Sequence, residues 1–300
     1  MIDLRRLHVL RAVAHYGTVT AAARALHFTT SAASQQIRQL ARDLGVDLLE
    51  PQGRGVRLTP AAESLLAHAD AIQARWEQAE LDLRGEHAPA GPLRVSGFPV
   101  AVSVLLAPMA VRLQERHPRL SVRIQEAAVL DSFDLLFEGE TDLAVVEATP
   151  HNPPLSDARF DQQPLLDDPF DLVVPEDHSL AGRERVDLSD AAHEDWIAPV
   201  ADSPCRPHVM AACGEAGFSP NVVHHALDWN VTAHLVANRL GVALIPRLAQ
   251  LTPHLPITRV RCTGNPHRKL LTCTRRGGRE RPAVAAALQE LRELAPTAVA

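Results

Sequence analysis

The side chains best suited to act on another molecule concentrate between Thr29 and Arg38. On a helix, Ala33, Ile37 and Leu40 fall on one face, leaving Thr30, Ser31, Ser34, Gln35 and Arg38 on the other. Short hydroxyls, an amide and one guanidinium suit the base edges and phosphates of a DNA major groove. Catalytic patterns are absent: the chain has no GxSxG elbow, no GxxxxGK[ST] phosphate loop and no HExxH helix. Its one GxG-like run, Arg276-Gly277-Gly278-Arg279, lacks the spacing of a dinucleotide site. The expectation is therefore a binding protein without a cofactor, and not an enzyme.

Cysteine and histidine offer a second chemistry. Cys205 and Cys213 lie about 12 Å apart along one expected helix, too far for a disulfide without unfolding it. Arg206 and the helix start are expected to lower the Cys205 pKa, which would make it a reactive thiol. The plainer expectation for Cys213, Cys262 and Cys273 is that they are small buried side chains. His224 and His225, with Cys205 and His208, imitate a metal set, but neighbouring strand residues point to opposite faces, so no metal is expected.

Two short helices must position the polar face. Thr18 is a suitable N-cap for a helix over residues 19–26, whose alanines allow close packing. Thr29 caps a second, over 30–43, which Gly45 ends. Pro51 to Leu58 then alternates turn, apolar and basic residues as a two-stranded wing would, carrying Arg54 and Arg57. Thr59 and Pro60 open a long helix to about residue 84, where Ala62, Leu65, Ala69, Ile72, Trp76, Ala79 and Leu83 step by three and four. Such a seam calls for another helix, most simply that of a second copy; the alternative is that it packs on the chain's own body, where the small Ala62, Ala69 and Ala79 would accept a neighbouring helix. Leu65, Ala69, Ile72, Trp76 and Ala79 are its candidate dimer contacts.

The formal net charge is −6, yet residues 1–58 hold eight arginines against four acids, leaving the remainder at −10. Positive charge therefore sits on the expected reader of double-stranded DNA, and the acidic remainder discourages wrapping elsewhere. No run approaches a membrane span, and the N-terminus shows no apolar signal core, so a cytoplasmic protein away from membranes is expected. After a hinge-like GEHAPAGP, apolar runs alternate with helical patterns: strands at LRVSGF, LSVRIQEA, residues 142–146, PFDLVVP, DWIAPV, NVVHHAL, VALIP and 269–274, and helices over about 102–117, 132–138, 206–216, 230–238 and 281–294. This is the α/β pattern, with largely parallel strands.

The N-terminal residues resemble the LysR-type transcriptional regulators. The likeness is carried by Leu7 and Val9 to Val13, Gly17-Thr18, Ala21-Ala22, Leu26, Ser34, Gln36-Ile37, Leu40, Leu44-Gly45, Leu48 and Leu58-Thr59-Pro60. It is dense over about the first 62 residues and looser to the end. Three departures stand out: Ala41 for the usual Glu, Leu49-Glu50-Pro51 for Phe-x-Arg, and Ala62 for Gly. The missing arginine removes a phosphate contact that Arg54 and Arg57 are placed to replace.

The resemblance implies a winged helix-turn-helix over residues 1–58, a linker helix over 59–87 and a two-lobed, periplasmic-binding-protein-like α/β effector domain over 88–300. Lobe 1 would span about 92–162 and 268–300, and lobe 2 about 163–267. It implies a homodimer or tetramer, and a small-molecule effector held between the lobes that re-spaces paired DNA readers. Strand ends and helix starts then nominate Phe98, Val100 and Ala101 on one side, and Asp202, Ser203, Asp228 and Gly241 on the other. Asp202, Ser203, Asp228 and Gly241 equally suit caps and turns. Phe98 and Val100 replace hydroxyls common in the family, so a partly apolar, neutral or cationic effector is expected. Some peroxide-sensing relatives carry a reactive cysteine in the segment of Cys205, which makes a redox-responsive regulator the alternative. A solute-binding or enzymatic α/β protein is the distant one.

Overall fold

The computed structural model describes residues 4–53, 55–83, 89–157 and 159–298. The chain divides into two compact units: Met1–Val146, His151–Gln163 and Thr272–Glu293 form the first, and Glu147–Pro150, Pro164–Leu271 and Leu294–Ala300 the second. The expected reader, linker helix and most of the expected first lobe thus share one unit, while 147–150, 268–271 and 294–300 fall in the other. The expected changeovers at 162/163 and 267/268 fall within or at the start of strands that run on.

In the first unit, α1 (Leu4–Tyr16) precedes α2 (Val19–Ala25) and α3 (Thr30–Leu44). Thr18 Oγ1 accepts the Ala21 N–H at 3.1 Å, and Thr29 Oγ1 accepts that of Ala32 at 3.1 Å. Each cap satisfies a donor that a helix start leaves unpaired. Gly45 ends α3 at φ 69°, a left-handed geometry that favours glycine. Ala33, Ile37 and Leu40 face inward as their spacing predicts, joining Leu10, Val13, Ala22, Leu48 and Leu58 in one core. Truncating Leu10 or Leu40 to Ala would cost about 2–5 kcal/mol, because the cavity cannot fully collapse.

The wing is the antiparallel pair β1 (Leu49–Gln52) and β2 (Gly55–Leu58), with Glu50 opposite Arg57 and Gln52 opposite Gly55. Thr59 Oγ1 accepts the Ala62 N–H at 3.2 Å and opens α4 (Pro60–Leu83). The first turns of α4 do not stand free, since Ala62, Leu66 and Ala69 complete the reader's own core.

The same unit continues with β3 (Gly91–Gly97), which lies between and parallel to β4 (Leu120–Glu126) and β5 (Leu143–Glu147). Between β3 and β4 the helical segment begins earlier than periodicity predicts, as α5 (Pro99–Ala101), a π turn at Val102–Leu106 and α6 (Ala107–Arg116). Phe98 takes the cap and Pro99 the first position, where a missing N–H costs nothing. α7 (Val129–Glu138) joins β4 to β5. Buried Asp142 accepts from the Arg94 guanidinium at 3.0 Å and from Arg281 at 2.7 Å; burial opposes its ionisation, but these arginines outweigh it and hold the carboxyl below its ordinary value.

Three strands contribute to both units: β5, whose last residue Glu147 belongs to the second, β6 (Phe160–Pro175) and, later in the chain, a nine-residue strand at His267–Arg275. Elements wholly in the second unit are β7 (Arg185–Val186), β8 (Asp195–Pro199), α8 (Arg206–Glu215), β9 (Asn221–Ala226), α9 (Trp229–Ala237), β10 (Ala243–Pro246) and β11 (Ile257–Cys262). The His267–Arg275 strand is β12, and α10 (Pro282–Ala298) ends the described chain. β8 and β9 are parallel, but β6 pairs antiparallel with both β10 and β11. The strands are therefore mixed rather than largely parallel. The start of β6 (FDQQP) and β11 (ITRVRC) lack a clear apolar run, which is why the sequence did not nominate them. Trp196, Phe170, Val209, Leu244 and Val260 anchor the core of this unit. No helix among the described residues is long and apolar enough to cross a membrane.

Candidate functional site

The first site is the outer face of α3. Thr30, Ser31, Gln35 and Arg38 are exposed and Ser34 is half-buried, so one surface collects the five side chains nominated from spacing. Thr18 and Thr29 sit at the starts of α2 and α3 with their oxygens accepting cap bonds, which leaves each hydroxyl proton able to donate to a phosphate. Arg57 is exposed on β2, and its Nε donates to Glu50 Oε1 at 2.6 Å. Sequence reasoning missed that pairing, although the hairpin register that sets the two opposite each other was implicit in the wing. Arg54 lies outside the described residues.

The candidate dimer stripe on α4 splits in two. Ala69 is 7% exposed and belongs to the reader's own core, against which Leu65 also packs. Further along, Ile72 is 58% exposed and Trp76 61%, while Ala79 is half-buried. The seam is thus not a single docking surface. Its first turns close the winged domain, and its later turns present large apolar groups.

The candidate effector residues fall on both units. In the first, Phe98 and Val100 are buried and Ala101 is fully so. In the second, Asp202 is exposed, and Ser203 Oγ accepts the Cys205 N–H at 3.3 Å. Asp228 caps α9, accepting from Asn230 N at 2.8 Å and Val231 N at 3.0 Å. Gly241 takes φ +141°, and a Cβ there would lie 2.5 Å from the Asp195 carbonyl oxygen, so close backbone approach accounts for its glycine. Ser203, Asp228 and Gly241 thus fill the cap and turn roles they equally suit.

Around Cys205 the second unit holds a buried polar cluster that periodicity did not reveal. The thiol lies 3.4 Å from Glu147 Oε2 and 3.3 Å from the Arg268 guanidinium. Arg268 also donates to Glu147 at 3.2 Å and to Asp168 at 2.9 Å, and His208 Nε2 meets Glu147 Oε1 at 3.1 Å. Burial, reinforced by the Glu147 carboxylate and opposed by Arg268, pushes the Cys205 thiol up to about 12. The expectation of a lowered pKa is overturned: the Arg206 guanidinium is spent on the Pro199 carbonyl at 2.6 Å, and Cys205 has an acceptor for its proton. Burial also resists charge on Glu147, but His208 and Arg268 hold it below its ordinary value; at Asp168 burial prevails and raises the carboxyl. Burial alone pushes Cys213 up to about 12. The only sequence signals were two acids and an arginine at positions inside or next to apolar runs. No group of metal-ligating side chains occurs among the described residues.

A capped helix-turn-helix with a wing, joined in one unit to the first α/β strands and continued by a second α/β unit, is the architecture of a DNA-binding regulator. Residues 4–63 match the bacterial regulatory helix-turn-helix proteins of the lysR family, and residues 86–296 the LysR substrate binding domain. The chain belongs to the LysR family of transcription regulators. A hydrogen peroxide-inducible genes activator of Dickeya chrysanthemi is 30% identical, the match covering 83% of this chain and 80% of that protein. The regulator AlsR of Bacillus subtilis is 27% identical over 86% of this chain and 84% of its own length. Among solved structures, a full-length OxyR variant from Pseudomonas aeruginosa superposes with a TM-score of 0.66, at 22% identity over 99% of this chain and 97% of that one.

Proposed function

We propose that this regulator reads operator DNA through the N-terminal half of α3, with Ser34 and Gln35 at base edges, and Thr18, Thr29, Thr30, Ser31, Arg38, Arg54 and Arg57 toward phosphates or neighbouring edges. The observation that carries it is the capped α3 whose outer face is polar throughout while its inner face is core. Gel-shift titrations at several salt concentrations test it. Arg38→Ala should weaken binding to all sequences and flatten the log-log salt slope by about 0.9, the loss of one phosphate contact. Ser34→Ala or Gln35→Ala should change sequence preference instead. Unaltered affinity and preference in all of them removes α3 as the reader.

We infer that the regulator works in the cytoplasm as a dimer or tetramer through the exposed turns of α4, and is neither an enzyme nor membrane-bound. Its effector is a partly apolar small molecule whose binding re-spaces the paired readers. On the first unit, Phe98, Val100 and Ala101 remain its proposed contacts. Thermal-shift screening across charge classes checks this; strong stabilisation by small dicarboxylates alone would refute the apolar reading. A peroxide signal at Cys205, in keeping with the name of the Dickeya relative, is disfavoured because burial and the Glu147 carboxylate keep the thiol protonated.

A further inference from the structure

A backbone hydrogen bond fastens the wing to the turn between α1 and α2. The Val56 N–H donates to the Gly17 carbonyl oxygen at 2.8 Å. At the neighbouring Gly55, an added Cβ would lie 2.4 Å from that same oxygen and 3.4 Å from its carbon. No real Cβ tolerates the first distance, and the atom in the way is main chain, which has no rotamer to adopt. Gly17 is itself held at φ +67°, whereas Gly55 has no positive φ that would demand glycine. Space, not conformation, therefore explains the glycine at 55.

We infer that Gly55 is a positioning residue of the DNA interface: its missing side chain lets the Gly17 carbonyl seat against β2 and fixes the wing relative to the capped start of α2. The contact sits between two nominated elements. Gly17 immediately precedes Thr18, the α2 cap, and Gly55 is two residues before Arg57. Moving β2 outward displaces the Arg57 side chain from any phosphate that the α2–α3 pair has brought into register, without touching the face of α3. This rests on the proposed role of the wing in phosphate contact.

The test compares the full chain with Gly55→Ala, Arg57→Ala and the double variant on an operator fragment across a salt series. Arg57→Ala alone should lower the salt slope by about 0.9. Gly55→Ala should lower it similarly while leaving base preference unchanged, and Arg57→Ala should then add nothing. A wild-type affinity and slope in Gly55→Ala, or a full Arg57→Ala effect in its background, overturns the inference. Should Arg57→Ala be silent in the wild type, the wing reading falls, and hydrogen exchange at the Val56 amide decides the clasp: slow exchange in the wild type that Gly55→Ala accelerates supports it, and unchanged exchange overturns it. Should Gly55→Ala fail to fold, wild-type exchange at Val56 alone decides, fast exchange refuting the clasp and protection supporting it.

Discussion

Tyr16, the only tyrosine in the chain, donates its phenolic proton to Glu138 Oε1 at 2.6 Å. The bond joins the last residue of α1, in the DNA reader, to the last residue of α7, in the α/β domain of the same unit. A reader tethered in this way has its orientation tied to the element that follows β4.

The hydrogen bond to Glu138, with burial and the charges of Glu138 and Asp134 adding to it, raises the Tyr16 pKa from 10.0 to about 12. Because the folded value lies above the ordinary one, the stabilisation is complete below pH 10 and disappears as pH rises from about 10 to about 12. Absorbance titration near the phenolate band should report a single late midpoint, which Glu138→Gln should move back toward 10. An ordinary midpoint in the wild type would mean that reader and α/β domain are not joined here.

Glu50 and Arg57 form an exposed cross-strand pair on the wing. Such pairs contribute little to stability, so Glu50→Gln should leave the melting temperature nearly unchanged. It also removes an acid beside DNA, and operator affinity at low salt should rise by up to about fivefold, equivalent to about 1 kcal/mol. Unchanged or weaker binding in a gel-shift titration would place Arg57 away from the phosphates.

Ile72 and Trp76 are exposed on α4, so Ile72→Asp should leave the fold of a single chain intact. In a paired seam the same carboxylate would be buried without a partner, at a cost of several kcal/mol. Sedimentation should therefore show smaller species with an unchanged circular dichroism spectrum. Retention of the wild-type assembly would assign oligomerisation to another surface.

Arg268 neutralises two buried carboxylates, Glu147 and Asp168, and touches the Cys205 sulfur. Arg268→Met should destabilise the second unit by about 3–5 kcal/mol, since it strands buried charge. The Cys205 thiol should resist peroxide and alkylating reagents under native conditions and react once the unit is unfolded. Selective native oxidation of Cys205, followed by mass spectrometry, would restore the redox reading.

Local periodicity and caps made the reader legible. Thr18, Thr29 and Gly45 mark helix ends by bonds formed within a few residues, and the inward row Ala33, Ile37, Leu40 needs no knowledge of distant chain. The alternation of apolar runs and helices likewise determined the α/β class. The sequence did not reveal contacts between residues far apart: Tyr16 with Glu138, Gly17 with Gly55, and Cys205 with Glu147 and Arg268. These depend on which elements meet in space, and no periodicity encodes that. Tertiary packing also decided the chemistry of Cys205, whose neighbour in sequence is an arginine but whose neighbours in space include a carboxylate. It divided the α4 seam as well, burying Ala69 in the chain's own core and leaving Ile72 and Trp76 outside it.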